Sequence, residues 1–100
     1  MISRISKKNK IRATKAADLF ALVASPTRIL ILLTLIKHKD LPVQDIAGEV
    51  GMTHSAVSHQ LGLLAEARIV VSKKAGRRVC YRVAQGSEAK ALVKFLSALM

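Results

Sequence analysis

Acidic side chains are scarce in this sequence. Six Asp and Glu stand against 17 Lys and Arg in 100 residues, a formal net charge of +11. The imbalance points to an anionic partner, most simply nucleic acid, less simply an acidic membrane surface. Cysteine is nearly absent: with Cys80 alone, no disulfide can form within the chain, and a reducing compartment, the cytoplasm, is the default. Only three residues are aromatic, so the 51% apolar content is mainly Leu, Ile, Val and Ala, which suits a helix-rich fold. Long hydrophobic runs are missing as well. LFALVA (19–24) is too short for the core of a signal peptide, and ILILLTLI (29–36) is too short to span a bilayer, so no membrane segment is expected. Repeats and low-complexity linkers are absent. The length suits one small domain with one core.

Residues 1–13 carry Arg4, Lys7, Lys8, Lys10 and Arg12 without an acid and with few apolar side chains. They read as a disordered or frayed basic arm, either a solvated tail or one lying along phosphates. The folded domain is expected over 14–100. Ala17, Leu19, Phe20, Leu22 and Val23 mark a first helix, from Thr14 to Ala24. Ser25 and Pro26 suit the N-cap and first turn of a second, running to about His38 and apolar nearly all round. Pro42 opens a third helix over 42–50, with Val43, Ile46, Ala47 and Val50 on one face and Gly51 at its end. Thr53 then caps a fourth. RIVVSKK (68–74) and RVCYRV (78–83) alternate with period two around Gly76, as in a β-hairpin. Val79, Tyr81 and Val83 share one face of its second strand, and Arg78, Cys80 and Arg82 the other. A last helix, about 86–99, carries Leu92, Val93, Phe95, Leu96 and Leu99. The expected class is mainly α with a small β-hairpin: four helices, the two-stranded hairpin, then a fifth helix.

The third and fourth helices, joined across Gly51, have the form of a helix-turn-helix, and the basic hairpin that of a wing. The stretch MTHSAVSHQL (52–61) has no carboxylate. Its hydroxyls, imidazoles and amide suit close approach to a major groove, where carboxylates would meet phosphates. The recognition helix is therefore placed at about 53–66, with Thr53, His54, Ser55, Ser58, His59 and Gln60 as DNA-contacting candidates. The wing, about 73–79, adds Lys73, Lys74, Arg77 and Arg78, with no acid beside them in sequence. Taken singly, each serine reads as a helix-surface residue, His59 as a satisfied histidine, and the wing cations as a solvated tip. Ser55, Ser58 and His59 do not make a catalytic set, because no carboxylate orients the histidine; the chain does not read as an enzyme.

The pieces LFALVASPTRILILLTL, DLPVQDIAGEVGMTHSAVSHQLGLLAEARIV and KKAGRRVCYRV, between Leu19 and Val83, resemble the ArsR/SmtB family of prokaryotic winged helix-turn-helix repressors. The resemblance implies a homodimer, built through the first and last helices, that binds an inverted-repeat operator in double-stranded DNA and is released by an inducer. Leu19, Phe20, Leu92, Phe95, Leu96 and Leu99 are the candidate dimer residues. The broad apolar stripe of the last helix fits a dimer independently; packing on the first helix would also cover it.

Several features depart from that family. Pro42 and Gln44 stand where many members place metal-binding thiolates, and the last helix offers only Glu88 and no histidine. His38, His54 and His59 do not supply a converging ligand set, so neither a metal nor another cofactor is expected. Ser25 replaces the usual acid before the Pro-x-Arg step, and Arg28 could meet the first helix or a phosphate. Cys80, between two arginines that favour thiolate chemistry, is the remaining redox-sensor candidate; an idle strand cysteine is the plainer reading. Nothing in the residues names an inducer. A non-specific architectural nucleic-acid protein is the alternative reading, and a winged protein-interaction module a further one.

Overall fold

A computed structural model describes residues 6–100. The first helix, α1, spans Lys7–Val23, and the Ser6 hydroxyl caps it by accepting the Asn9 amide at 3.1 Å. Residues 7–13 of the expected arm are thus helical, and α1 starts well before Thr14. Lys, Arg and Ala are good helix formers, and turns added to a helix anchored downstream escape the nucleation cost. Residues 1–5 of that arm, Arg4 included, lie outside the described residues.

A 91° bend leads into α2, Pro26–His38, where the Ser25 hydroxyl accepts the Arg28 amide. Ile31, Leu32 and Leu35 of α2 are fully buried, and the helix packs on α1, on α3 (Val43–Val50) and on α5 (Ser87–Leu99). The fourth helix, α4 (His54–Glu66), adds Val57, Leu61 and Leu64 to the same core, and α5 adds Leu92 and Leu96. Burying each such side chain stabilises the fold by about 1.5–3 kcal/mol.

The element order differs from the expected one. A short strand, β1 (Leu41–Pro42), precedes α3, so the order is α1-α2-β1-α3-α4-β2-β3-α5. Here β2 is Val70–Ala75 and β3 is Arg78–Val83. β1 pairs antiparallel with β3, Leu41 opposite Tyr81 and Pro42 opposite Cys80, making a three-stranded sheet of order β1-β3-β2. Pro42 reads locally as a break, and two residues carry no period. Their pairing is visible only once β3, far later in the chain, has folded beside them. Proline has no amide to donate, so its strand belongs at a sheet edge, and β1 is an edge strand.

Two chain reversals fix the spacing of the outer elements. Gly51, at φ 69 and ψ 37, ends α3 in the left-handed conformation. Gly76, at φ 65, turns the β2–β3 hairpin, with Ala75 opposite Arg78 and glycine first of the two loop residues, as in a type II′ turn.

Candidate nucleic-acid interface

α4 owes its start to Thr53, whose hydroxyl accepts the Ala56 amide at 3.1 Å. Its buried stripe of Val57, Leu61 and Leu64 turns Thr53, His54, Ser55, Ser58 and His59 outward, and all five are exposed. That outer face carries no acid before Glu66, in the last turn.

The end of α4 sets where the wing begins. The Ile69 amide donates to the Leu64 carbonyl at 2.9 Å and the Arg68 amide to Ala65 at 3.0 Å. These are the two bonds of a Schellman cap. Arg68 holds the left-handed position itself, at φ 63, where glycine is usual. Ile69 and Val70 are then buried and anchor β2.

The hairpin projects with Lys73, Lys74, Arg77 and Arg78 all exposed. A cleft of about 310 Å³ between the wing and α4 brings His54 and Ser58 together with Arg77 and Arg78. Pro42, Gln44 and Tyr81 also line it. The wing cations are not wholly free of acids. Arg78 lies 3.8 Å from Asp45 of α3, and Arg82 lies 3.8 Å from Asp40. Both pairs are about half exposed, and such pairs contribute about 0–1 kcal/mol. They still lower the charge that Arg78 presents, while Lys73, Lys74 and Arg77 keep theirs.

Gln60 is placed differently from the other candidates. Its Oε1 accepts the Arg28 Nε–H at 2.8 Å, and an Arg28 terminal nitrogen donates to the Leu22 carbonyl, also at 2.8 Å. Arg28 therefore ties the end of α1 to α4. The open choice over its partner resolves to the first helix and Gln60. Nothing local to SPTR or to SAVSHQL announces that bond, because 32 residues separate its partners.

Cys80 is half-buried on the central strand, opposite Pro42 on one side and Lys73 on the other. Among the described residues, no group of three or more His, Cys, Asp or Glu converges. Of the dimer candidates, Leu92 and Leu96 are spent in the core and Leu19 is half-buried. Phe20 (58% exposed), Phe95 (51%) and Leu99 (69%) remain at the surface, with the two rings edge to face at 6.4 Å. Ile11, on the outer half of α1, is exposed too. No single helix among the described residues is long and apolar enough to cross a membrane; α1 and α2 reach that length only as a bent pair, and α2 is core.

Comparison with known proteins agrees with this geometry. Residues 25–72 match the family described as bacterial regulatory protein, arsR family. The HTH-type transcriptional regulator NmtR of Mycobacterium tuberculosis is 42% identical over 69 residues, 69% of this chain and 57% of that protein. The chain thus spans little more than half the length of that relative. The biofilm growth-associated repressor of Agrobacterium fabrum is 31% identical over 88 residues, 88% of this chain and 74% of its own length. The crystal structure of the transcriptional repressor BigR from Xylella fastidiosa matches with a TM-score of 0.83 at 26% identity, over 94% of this chain and 91% of that one. With the helix-turn-helix, the wing and the matched residues in agreement, this chain belongs to the arsR family of bacterial regulatory proteins.

Proposed function

We propose that the protein is a transcriptional repressor, acting in the cytoplasm, that binds an inverted-repeat operator as a homodimer. The observation that carries the reading is the outer face of α4. It is polar and free of acid through its first three turns, and it lies beside a wing tipped by Lys73, Lys74 and Arg77. A face of this kind can enter a major groove and hydrogen-bond base edges, while the wing cations meet phosphates. His54, Ser55, Ser58 and His59 are the base-reading set, and Thr53 serves as cap and contact. Gln60 is half-buried with its Oε1 held by Arg28, which leaves only its amide nitrogen to donate to DNA. The exposed Phe20, Phe95 and Leu99, on the first and last helices, form the dimer surface. The basic residues of α1 from Lys7 to Lys15 are exposed and add to the positive field.

The test is a competition titration by fluorescence anisotropy at one fixed salt concentration. It compares DNA upstream of the gene with a scrambled duplex of equal length and composition. A preference of about a thousandfold supports specific recognition. A ratio near one, with steep salt dependence for both duplexes, supports the architectural alternative instead.

A further inference from the structure

A second concavity lies away from the α4 face. It has a volume of about 530 Å³ and opens between the end of α2, the end of β3 and the first half of α5. Small-molecule sites typically occupy about 300–1,000 Å³. Its apolar surface comes from Leu35, Ile36, Val83, Ala84 and Val93. Leu35 and Ala84 are buried, and the other three are half-buried. Lys39, Arg82, Lys90 and Lys94 surround that surface, against a single carboxylate, Asp40. Asp40 meets Arg82 only at 3.8 Å, with both side chains more than half exposed. Four cations therefore face one acid over an apolar floor.

We propose that this concavity is a binding site for a small amphipathic carboxylate, with its chain on the apolar floor and its headgroup among the cations. An uncharged alcohol would bury the same apolar area but leave the cations unpaired. A short carboxylate such as acetate would gain the charge without the burial. Both halves of the site are needed together, and each draws on the same three elements, the end of α2, β3 and α5. Arg82 reaches it from β3, Lys39 from the end of α2, and Lys90 and Lys94 from α5. The arrangement goes beyond DNA recognition, since none of these residues belongs to the α4 face or the wing tip.

Isothermal titration of the full chain with octanoate, octanol and acetate tests the proposal. Octanoate should give a saturable isotherm, and octanol and acetate should each bind about tenfold more weakly or worse. The double substitution Lys90→Glu with Lys94→Glu changes two exposed residues and should weaken octanoate by about tenfold, roughly 1.4 kcal/mol. The control is Lys7→Glu with Lys8→Glu, which makes the same change in net charge on the outer end of α1 and should leave octanoate binding unchanged. Circular dichroism on each variant separates loss of binding from loss of fold. The proposal is overturned if octanoate does not bind, if octanol binds as well, or if the control pair weakens octanoate equally. The last result would mean diffuse attraction to a basic protein and no site.

Discussion

Arg28 does more for the fold than its surroundings in sequence announce. It is half-buried, and it donates both to Gln60 on α4 and to the Leu22 carbonyl at the end of α1. Hydrogen bonds from a charged donor contribute about 1.5–3 kcal/mol each, and a partner left behind without water costs extra. Arg28→Ala is expected to lower unfolding free energy by about 2–3 kcal/mol in urea titrations. Gln60→Ala should cost less, because Arg28 keeps Leu22. A double-mutant cycle between the two should return a coupling of about 1 kcal/mol or more, and additive effects would show the bond to be incidental. Arg68 offers the opposite sign. It fills the left-handed position of the α4 cap at φ 63, where a Cβ is strained. Arg68→Gly should be neutral to stabilising by up to about 1 kcal/mol, against the usual trend of glycine substitutions. A clear loss of melting temperature would mean that the arginine side chain does something its exposure hides.

At the scale of elements, the proposed function divides the work of recognition between α4 and the wing. α4 supplies hydrogen-bonding groups on a rigid rod, set by the Thr53 cap and the buried Val57, Leu61 and Leu64. Ser58→Ala combined with His59→Ala removes two exposed side chains that hold no hydrogen bond or ion pair among the described residues, so helicity should persist while preference for operator over scrambled DNA falls. Retained preference would remove both residues from the reading set. The wing supplies charge on a hairpin tip. Arg77→Ala should weaken every duplex alike and lower the slope of log affinity against log salt by about one. Arg78→Ala should lower it by less, because Asp45 already faces that guanidinium at 3.8 Å. Equal slope changes for the two would mean that the Asp45 pair opens on binding. The Asp45 contact also shows why the wing looked free of acids in sequence. Asp45 sits on α3, distant along the chain, and only the fold carries it to β3.

At the scale of the whole molecule, the exposed Phe20, Phe95 and Leu99 lie outside the core that Leu92 and Leu96 help to fill. Leu99 is 69% exposed, so Leu99→Glu puts a charge on this surface and not in the core. If the proposed dimer forms through this surface, the variant should run as a folded monomer in sedimentation velocity, with circular dichroism unchanged. A dimer that survives Leu99→Glu and Phe95→Glu together would place the interface elsewhere.

The sequence alone determined the features that depend on near neighbours. Periodicity marked the buried stripes of α3 and α4, an almost continuous apolar run marked α2 as core, glycine marked the turns at Gly51 and Gly76, and Ser25 and Thr53 marked two caps. Side-chain type along MTHSAVSHQL marked the polar face. Each of these is set within about one turn of chain, so a local pattern carries it. The helical start at Lys7 is local too, but residues 7–13 carry few apolar side chains, so only helix propensity and the Ser6 cap signal it. Tertiary structure decided what joins residues far apart. It paired Leu41–Pro42 with β3 and so changed the element order, took Gln60 for Arg28, set Asp45 beside Arg78, and sorted the α5 stripe into core and surface. Those outcomes depend on which elements meet after the chain collapses, and no short window of residues contains both partners.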